Sequence, residues 1–191
     1  MIQASAFILI GGKSERFGSP KWQAVIEGKS ILDRTWDACI DFEHRFVIGK
    51  KKPEDLKIPF IQDELEIQAP INGLYTALKY TTTDWNLLLS CDLPLISNNI
   101  LQKLWIARSH DTDAIVPLAN DKAQGTCAFY HKKIFPFVES AIHNANYSLY
   151  SLIDKLDSIN IKFGNDKRFW NMNTKKDYEE ISRYVSIKRN R

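Results

Sequence analysis

The chain has 191 residues, 44% hydrophobic and 12% aromatic, which is enough apolar material for one folded domain spanning residues 1–191 and too much for a disordered chain. Its 26 basic and 23 acidic residues leave a formal charge of +3, a balance that excludes the strongly basic footprint of a nucleic-acid binder. No run approaches the ~18 consecutive apolar residues of a membrane helix, and no basic stretch precedes a long apolar segment at the N-terminus, so neither a membrane span nor a secretory leader is expected.

Ala4 to Ile10 is an almost unbroken apolar run and predicts a fully buried strand. It leads into a loop carrying Gly11, Gly12, Ser14, Arg16, Gly18 and Lys21. Such a loop has free backbone N–H groups, glycine lets them come close to a bound group, and Arg16 and Lys21 add two cations; the combination suits a polyphosphate. The alternative is a glycine-rich turn with scattered surface charge. Spacing excludes two common phosphate loops. The P-loop needs a Gly separated by four residues from Gly-Lys-Ser/Thr, but GKS at Gly12–Ser14 and Gly28–Ser30 is preceded at those positions by Phe7 and Gln23. The G-x-G-x-x-G fingerprint fails because the glycines stand at 11, 12 and 18.

Further along, Trp22 to Ile26 reads as short and extended, and Glu27-Gly28-Lys29 as a turn. Ser30-x-x-Asp33 has capping-box spacing and opens a helix to about Ile40, with Ile31, Leu32, Thr35, Trp36, Cys39 and Ile40 on its inner face. Arg45 to Ile48 is a second strand, ended by Gly49 and the Lys50–Lys52 cluster. Ile58 to Ile61 is a third, ending at Asp63, and Glu64 to Ala69 is an acidic loop. Pro70 opens a helix to about Tyr80. Trp85 to Ser90 is a buried strand, followed at once by Cys91-Asp92-Leu93-Pro94. Ser97 is a candidate N-cap for a helix to about Ser109. Asp113 to Leu118 is a strand, Asn120 to Lys122 a turn, and Gly125 to His131 a strand antiparallel to its neighbour, because the connection is short. Helices near Lys133–Ala141 and Tyr147–Leu156 follow, with Pro136 in the first turn or at a kink of the first. Ser158 to Phe163 is a late strand, and Asn171-Met172-Asn173-Thr174 precedes a helix from about Lys175 to Val185.

Alternating strands and helices predict an α/β class with a mostly parallel sheet and one antiparallel strand. Ligands of such sheets sit beyond the carboxyl ends of the strands, at a switch point. The glycine loop and Asp92 both follow strands and are expected to share that edge. A carboxylate there suits Mg²⁺, which prefers oxygen ligands; alternatively Asp92 caps a turn. Cys39, Cys91 and Cys127 are far apart and lack metal-ligand spacing, which points to free thiols in a reducing cytosol. His44, His110, His131 and His143 are dispersed, and no Ser-His-Asp set stands out.

Leu9-Ile10-Gly11-Gly12-x-Ser14-x-Arg16-Phe17-Gly18-x-x-Lys21 resembles the opening motif of the molybdenum cofactor guanylyltransferase (MobA-like) family, with spacing and residue type agreeing over thirteen positions. The likeness continues at Asp63 with Pro70 and Gly73, at the Cys91-Asp92-x-Pro94 segment, and at Asn171-x-Asn173-Thr174. Departures are Ile10 for the usual Ala, Gly49 where many members place Asn, Ala69 and Asn72 in the segment that typically reads G-P-L-A-G, and Gly125 for Pro. The resemblance implies a three-layer, Rossmann-like (GT-A-like) nucleotidyltransferase fold. It implies transfer of GMP from GTP to molybdopterin in the cytoplasm, with release of pyrophosphate. It assigns Mg²⁺ to Asp92 with Asn173, nucleotide contacts to Leu9, Ile10, Gly11, Gly12, Ser14, Lys21, Asp63, Gly73 and Asp92, and catalytic charge stabilisation to Arg16, Lys21 and Asp92. For Asn173 a helix-capping role stands beside the metal one, and for Pro70 and Gly73 helix entry and tight packing. Partners implied are the two substrates, with transient contact to other cofactor-biosynthesis proteins or recipient enzymes. The alternatives are a cytidylyl- or sugar-phosphate nucleotidyltransferase, or a non-catalytic cofactor-binding module.

Overall fold

A computed structural model of the chain describes residues 1–11 and 20–189. Its centre is β1 (Ile2–Leu9), buried at all but one of its positions. Such a strand needs a neighbour on each edge and a layer on each face. The edge partners are β4 (Phe42–Gly49) and β6 (Trp85–Ser90), both parallel to β1. Beyond β4 lies β5 (Phe60–Gln62), again parallel. On the other side β9 (Cys127–His131) runs antiparallel between β6 and β7 (Ala114–Ala119), and β10 (Ser158–Gly164) closes the sheet parallel to β7. The order is therefore β10-β7-β9-β6-β1-β4-β5, with the two-residue β8 (Lys122–Ala123) paired to β7. Separate from it, β2 (Val25–Ile26) and β3 (Lys29–Ser30) form a small hairpin.

The period-two alternation of strand side chains sorts the core into two layers. Ala4, Ala6 and Ile8 of β1, with Leu87 and Leu89 of β6, meet α1 (Ile31–Ala38) and α3 (Asn98–Ile106) through Leu32, Ile100, Leu101 and Leu104. Phe7 and Leu9, with Leu88 and Tyr130, face α2 (Pro70–Tyr80), α4 (Phe135–His143) and α5 (Leu149–Ile153) through Leu74, Val138 and Leu152. The last helix, α6 (Lys175–Arg189), packs Ile181 against Ile26, Ile31, Cys91 and Met172. The predicted three-layer, mostly parallel α/β architecture is the one observed; β9 is the expected antiparallel strand, and the two-residue β8, antiparallel to β7, is a second.

Several boundaries differ from the sequence expectation. Only Val25–Ile26 of the segment 22–26 is extended, because Lys21–Gln23 winds into a single 3₁₀ turn after Pro20. The turn after β2 uses positive φ at Glu27 (49°) and Gly28 (76°), the backbone twist that two-residue hairpins favour. Ser30 caps α1 as expected, its Oγ accepting the Asp33 N–H at 3.0 Å. The helix ends at Ala38, however, and Ile40 lies in the turn beyond it, 59% exposed, not on the inner face. Strand β4 begins at Phe42, three residues before the predicted start, because Phe42 already pairs with Ile2. Helix α3 stops at Ile106, and Ser97 precedes it without a side-chain cap bond. Pro136 sits in the first turn of α4, where its missing N–H costs nothing.

All three cysteines are buried free thiols. Burial pushes the thiol of each upward, that of Cys127 to about 12, so none is a thiolate nucleophile at neutral pH. Among the described residues no helix is long and apolar enough to cross a membrane.

Candidate active site

The carboxyl ends of β5, β4, β1 and β6 form one edge. Leu9 pairs with Ile48 and with Ser90, and Gly49 pairs with Gln62. Past the ladder the chain stays tied: Cys91 N–H donates to Leu9 O (3.1 Å), Ile10 N–H to Ile48 O (3.0 Å) and Asp63 N–H to Gly49 O (2.9 Å). Gly11, Gly49, Asp63 and Asp92 therefore leave the sheet side by side. The strand order turns at β1, whose neighbours β4 and β6 lie on opposite sides, which makes this edge the switch point where α/β sheets open a crevice.

Lys21, Asp92 and Asn173 converge there. The Lys21 ammonium Nζ lies 3.2 Å from Asp92 Oδ1 and 3.0 Å from Asn173 Oδ1. Each oxygen has its own scaffold. Asp92 N–H donates to Ser90 Oγ (3.2 Å), and Asp92 O accepts the Met172 N–H (2.8 Å), which stitches the β6 turn to the segment before α6. The Asn173 and Thr174 N–H groups both donate to Asp177 Oδ2 at 2.8 Å, and Thr174 Oγ1 accepts the Asp177 N–H at 3.2 Å. Thr174-x-x-Asp177 is thus the cap of α6, a spacing readable in the sequence. The capping alternative for the Asn173 side chain falls away, because its carbonyl oxygen receives Lys21. Burial pushes the Asp177 carboxyl up, but the two N–H donors, the Thr174 hydroxyl and the Lys21 charge outweigh it, and its pKa lies below the ordinary value.

Asp63 stands at the end of β5 with its Oδ1 buried and, among the described residues, without a hydrogen-bond partner. Burial raises its pKa; the Lys50 charge opposes this and Glu66 adds to it. The loop after it is held by groups that sequence reasoning missed. Asn72, 1% exposed in the first turn of α2, donates to Leu65 O (2.6 Å) and Ile67 O (3.1 Å) and accepts Leu65 N–H (3.2 Å). Thr76 Oγ1 accepts Glu64 N–H (3.1 Å). An Asn inside an apolar helix face was the available signal.

The glycines divide by what a side chain would meet. At Gly11 a Cβ meets nothing within 4 Å among the described residues. At Gly73 it would lie 2.5 Å from Leu9 Cδ2. Gly73 and the Leu9 side chain are buried against each other, so the expectation that Gly73 admits a nucleotide gives way to helix–strand packing, and Leu9 offers the edge its backbone alone. At Gly49 a Cβ would lie 3.1 Å from Ile10 Cγ1. Two departures from the family pattern are therefore linked: the larger side chain at 10 fills space vacated at 49. Gly125 likewise packs under α5, its Cβ position 3.1 Å from Ile153 Cδ1, while Gln124 is buried and donates to Ala119 O (3.1 Å). Gly12, Ser14 and Arg16 lie outside the described residues.

Beside this edge opens a cleft of about 570 Å³ between the β7–β8 turn and α6, lined by Asn120, Lys122, Gln124, Lys167, Trp170 and Asn171 among others. Lys167 is fixed over the rings of Trp170 (4.6 Å) and Tyr184 (4.7 Å).

Comparison with known proteins agrees with this architecture. Residues 6–159 match the MobA-like NTP transferase domain. A Flavobacterium johnsoniae protein named as a probable molybdenum cofactor guanylyltransferase is 29% identical over 182 residues, covering 93% of this chain and 96% of its own. One of the same name from Aquifex aeolicus is 30% identical, over 93% and 89%. Among solved structures, molybdopterin-guanine dinucleotide biosynthesis protein A from Archaeoglobus fulgidus superposes with a TM-score of 0.80 at 18% identity, over 95% of this chain and 98% of that one, a likeness of fold. A strand-edge glycine loop, an aspartate one strand away and a match over most of the chain lead to one conclusion: this protein belongs to the MobA-like NTP transferase domain family and is a nucleotidyltransferase.

Proposed function

We propose that the chain transfers GMP from GTP to the terminal phosphate of molybdopterin, releasing pyrophosphate and forming the guanine dinucleotide form of the molybdenum cofactor. The observation that carries this is the convergence of Lys21, Asp92 and Asn173 at the carboxyl edge of β1 and β6, the edge that Gly11 leaves. A carboxylate and an amide oxygen aimed at one cation form an oxygen donor set of the kind a hard divalent ion takes. Among the described residues nothing stands within 4 Å of where a Gly11 Cβ would lie, space of the kind a phosphate can fill. Asp63 supports the base assignment: its buried oxygen, unpaired among the described residues, can accept from a donor, and guanine presents N1–H and the N2 amino group side by side. The names of the relatives point the same way.

An oxygen of the molybdopterin phosphate bonds to the α-phosphorus of GTP. The bond from that phosphorus to the α–β bridging oxygen breaks, and pyrophosphate leaves with the electron pair. The attacking group is already an anion near neutral pH, so no general base is required. The barrier is the approach of two anions, and catalysis is positioning with charge stabilisation. Lys21, with Arg16, balances charge developing toward pyrophosphate; the amides of Gly11, Gly12 and Ser14 hold the phosphates; Asp63 orients the nucleoside. Asp92 and Asn173 would hold a divalent cation, Mg²⁺ in this reading, which when bound neutralises and aligns phosphate oxygens. The cleft lined by Asn120, Lys122 and Asn171 receives the acceptor.

Pyrophosphate release with molybdopterin as acceptor, measured in turn with GTP, CTP and UTP, tests the assignment. Preferential turnover of GTP is expected. Dominant turnover of CTP would reject guanine, and a sugar phosphate replacing molybdopterin as the better acceptor would reject the cofactor role.

A further inference from the structure

The place where Lys21 rests carries a consequence for the order of binding. Its ammonium sits between Asp92 Oδ1 and Asn173 Oδ1, at 3.2 and 3.0 Å. These are the two oxygens that fit a divalent cation. The backbones that carry them are held by contacts that do not involve Lys21. The Asp92 backbone is clamped by Ser90 Oγ and by Met172 N–H, and the Asn173 backbone by Asp177. Lys21 is the movable member, a four-carbon side chain at the start of a single 3₁₀ turn, and its side chain is only 14% exposed in this pose. A lysine ammonium is a compact point charge with three donors. It satisfies the same oxygens that a metal ion would and, carrying the same sign, it repels that ion at short range.

We infer that Lys21 serves as the resident counter-cation of the Asp92–Asn173 oxygen pair and must leave it before a divalent metal ion can bind. The triphosphate is the group that withdraws it. Lys21 exchanges one carboxylate for several phosphate oxygens, and the vacated pair takes the metal. The ligand-free protein therefore binds metal weakly, nucleotide binds before or together with metal, and a metal ion held without nucleotide is disfavoured by the lysine itself. The inference draws on the nucleotidyl-transfer reading only for the identity of the withdrawing ligand. The metal titration needs no nucleotide, so its outcome stands apart from the base and acceptor assignments.

The test is a titration of the full-length protein with Mn²⁺ in the absence of nucleotide, following free Mn²⁺ by electron paramagnetic resonance, for the native chain, Lys21→Met, and Lys21→Met combined with Asp92→Asn. Circular dichroism and urea midpoints confirm that each variant is folded. Lys21→Met, which keeps the apolar stem and removes the charge, is expected to bind Mn²⁺ about tenfold more tightly than the native chain, and the added Asp92→Asn to abolish the gain. Equal or weaker Mn²⁺ binding by Lys21→Met would overturn the inference. So would a gain that survives Asp92→Asn, because the ion would then lie elsewhere. Lys21→Arg supplies a second, charge-retaining variant: it should stay as weak as the native chain, and a gain matching that of Lys21→Met would likewise overturn the inference.

Discussion

Gly73→Ala puts the contact between α2 and β1 to a quantitative test. The new Cβ would lie 2.5 Å from Leu9 Cδ2, 3.2 Å from Cδ1 and 3.4 Å from Cγ. The shortest of these is roughly 1 Å inside the 3.5–4.0 Å optimum for carbon atoms. Leu9 cannot swing into solvent, because it is 9% exposed and packed in the layer that holds Phe7, Ile48, Ile71 and Leu74. Overpacking of this kind costs about 1–3 kcal/mol. Leu9→Ala alone should also destabilise, by about 2–5 kcal/mol, through the cavity it leaves. In the double variant the added methyl at 73 occupies part of that cavity, so the two effects should cancel in part, with a coupling of about 1 kcal/mol or more. Urea unfolding at unchanged slope measures all four corners of the cycle. Strict additivity, or a Gly73→Ala variant as stable as the native chain, would refute the packing argument.

Gly11→Ala should behave in the opposite way: stability within about 0.5 kcal/mol of native, because among the described residues nothing stands within 4 Å of the new methyl, and GTP binding weaker by about tenfold, or 1.4 kcal/mol, in a calorimetric titration. Asn72→Ala strips the partners from Leu65 and Ile67 and should cost about 1–3 kcal/mol for the buried groups left unpaired, with a parallel loss of nucleotide affinity as the loop behind Asp63 loosens. The Asp177 carboxyl has a folded pKa below its ordinary 3.8, so the unfolded chain takes up its proton more readily. Its contribution is full above that ordinary value and is lost as pH falls through the folded one. Asp177→Ala should therefore cost about 1 kcal/mol at neutral pH and flatten the stability decline below pH ~4; acid limbs of equal slope in the two proteins would contradict this.

Hydrophobic pattern revealed the central strands because β1 and β6 are buried on both faces and read as nearly continuous apolar runs, whereas the three layers came from the family resemblance. Helix α2 was signalled by Pro70 and ends at Tyr80, near the expected end. The edge grouping of Gly11 with Asp92 followed from topology alone, since both leave parallel strands at their carboxyl ends. Ends without a chemical mark were harder: α1 stops at Ala38 and α3 at Ile106 with no Gly or Pro there, because tertiary packing decides where they stop. Gly73 exposed the limit of a local reading. The family resemblance assigned it a ligand with tight packing as the alternative, and the meeting with Leu9, 64 residues earlier in the chain, favours packing. The lysine resting between two oxygens was equally hidden, because Lys21, Asp92 and Asn173 are far apart in sequence and each has an ordinary local role.

The central claim is that Lys21 and Asp92 act together on a triphosphate at this edge. Its most direct test is the kcat/KM for pyrophosphate release from GTP and molybdopterin by Asp92→Asn and Lys21→Ala, each shown to be folded. The account predicts a fall of about 10²–10³-fold for either substitution, the usual effect of removing one preorganised electrostatic group; kcat/KM within a few-fold of the native value for both would contradict it.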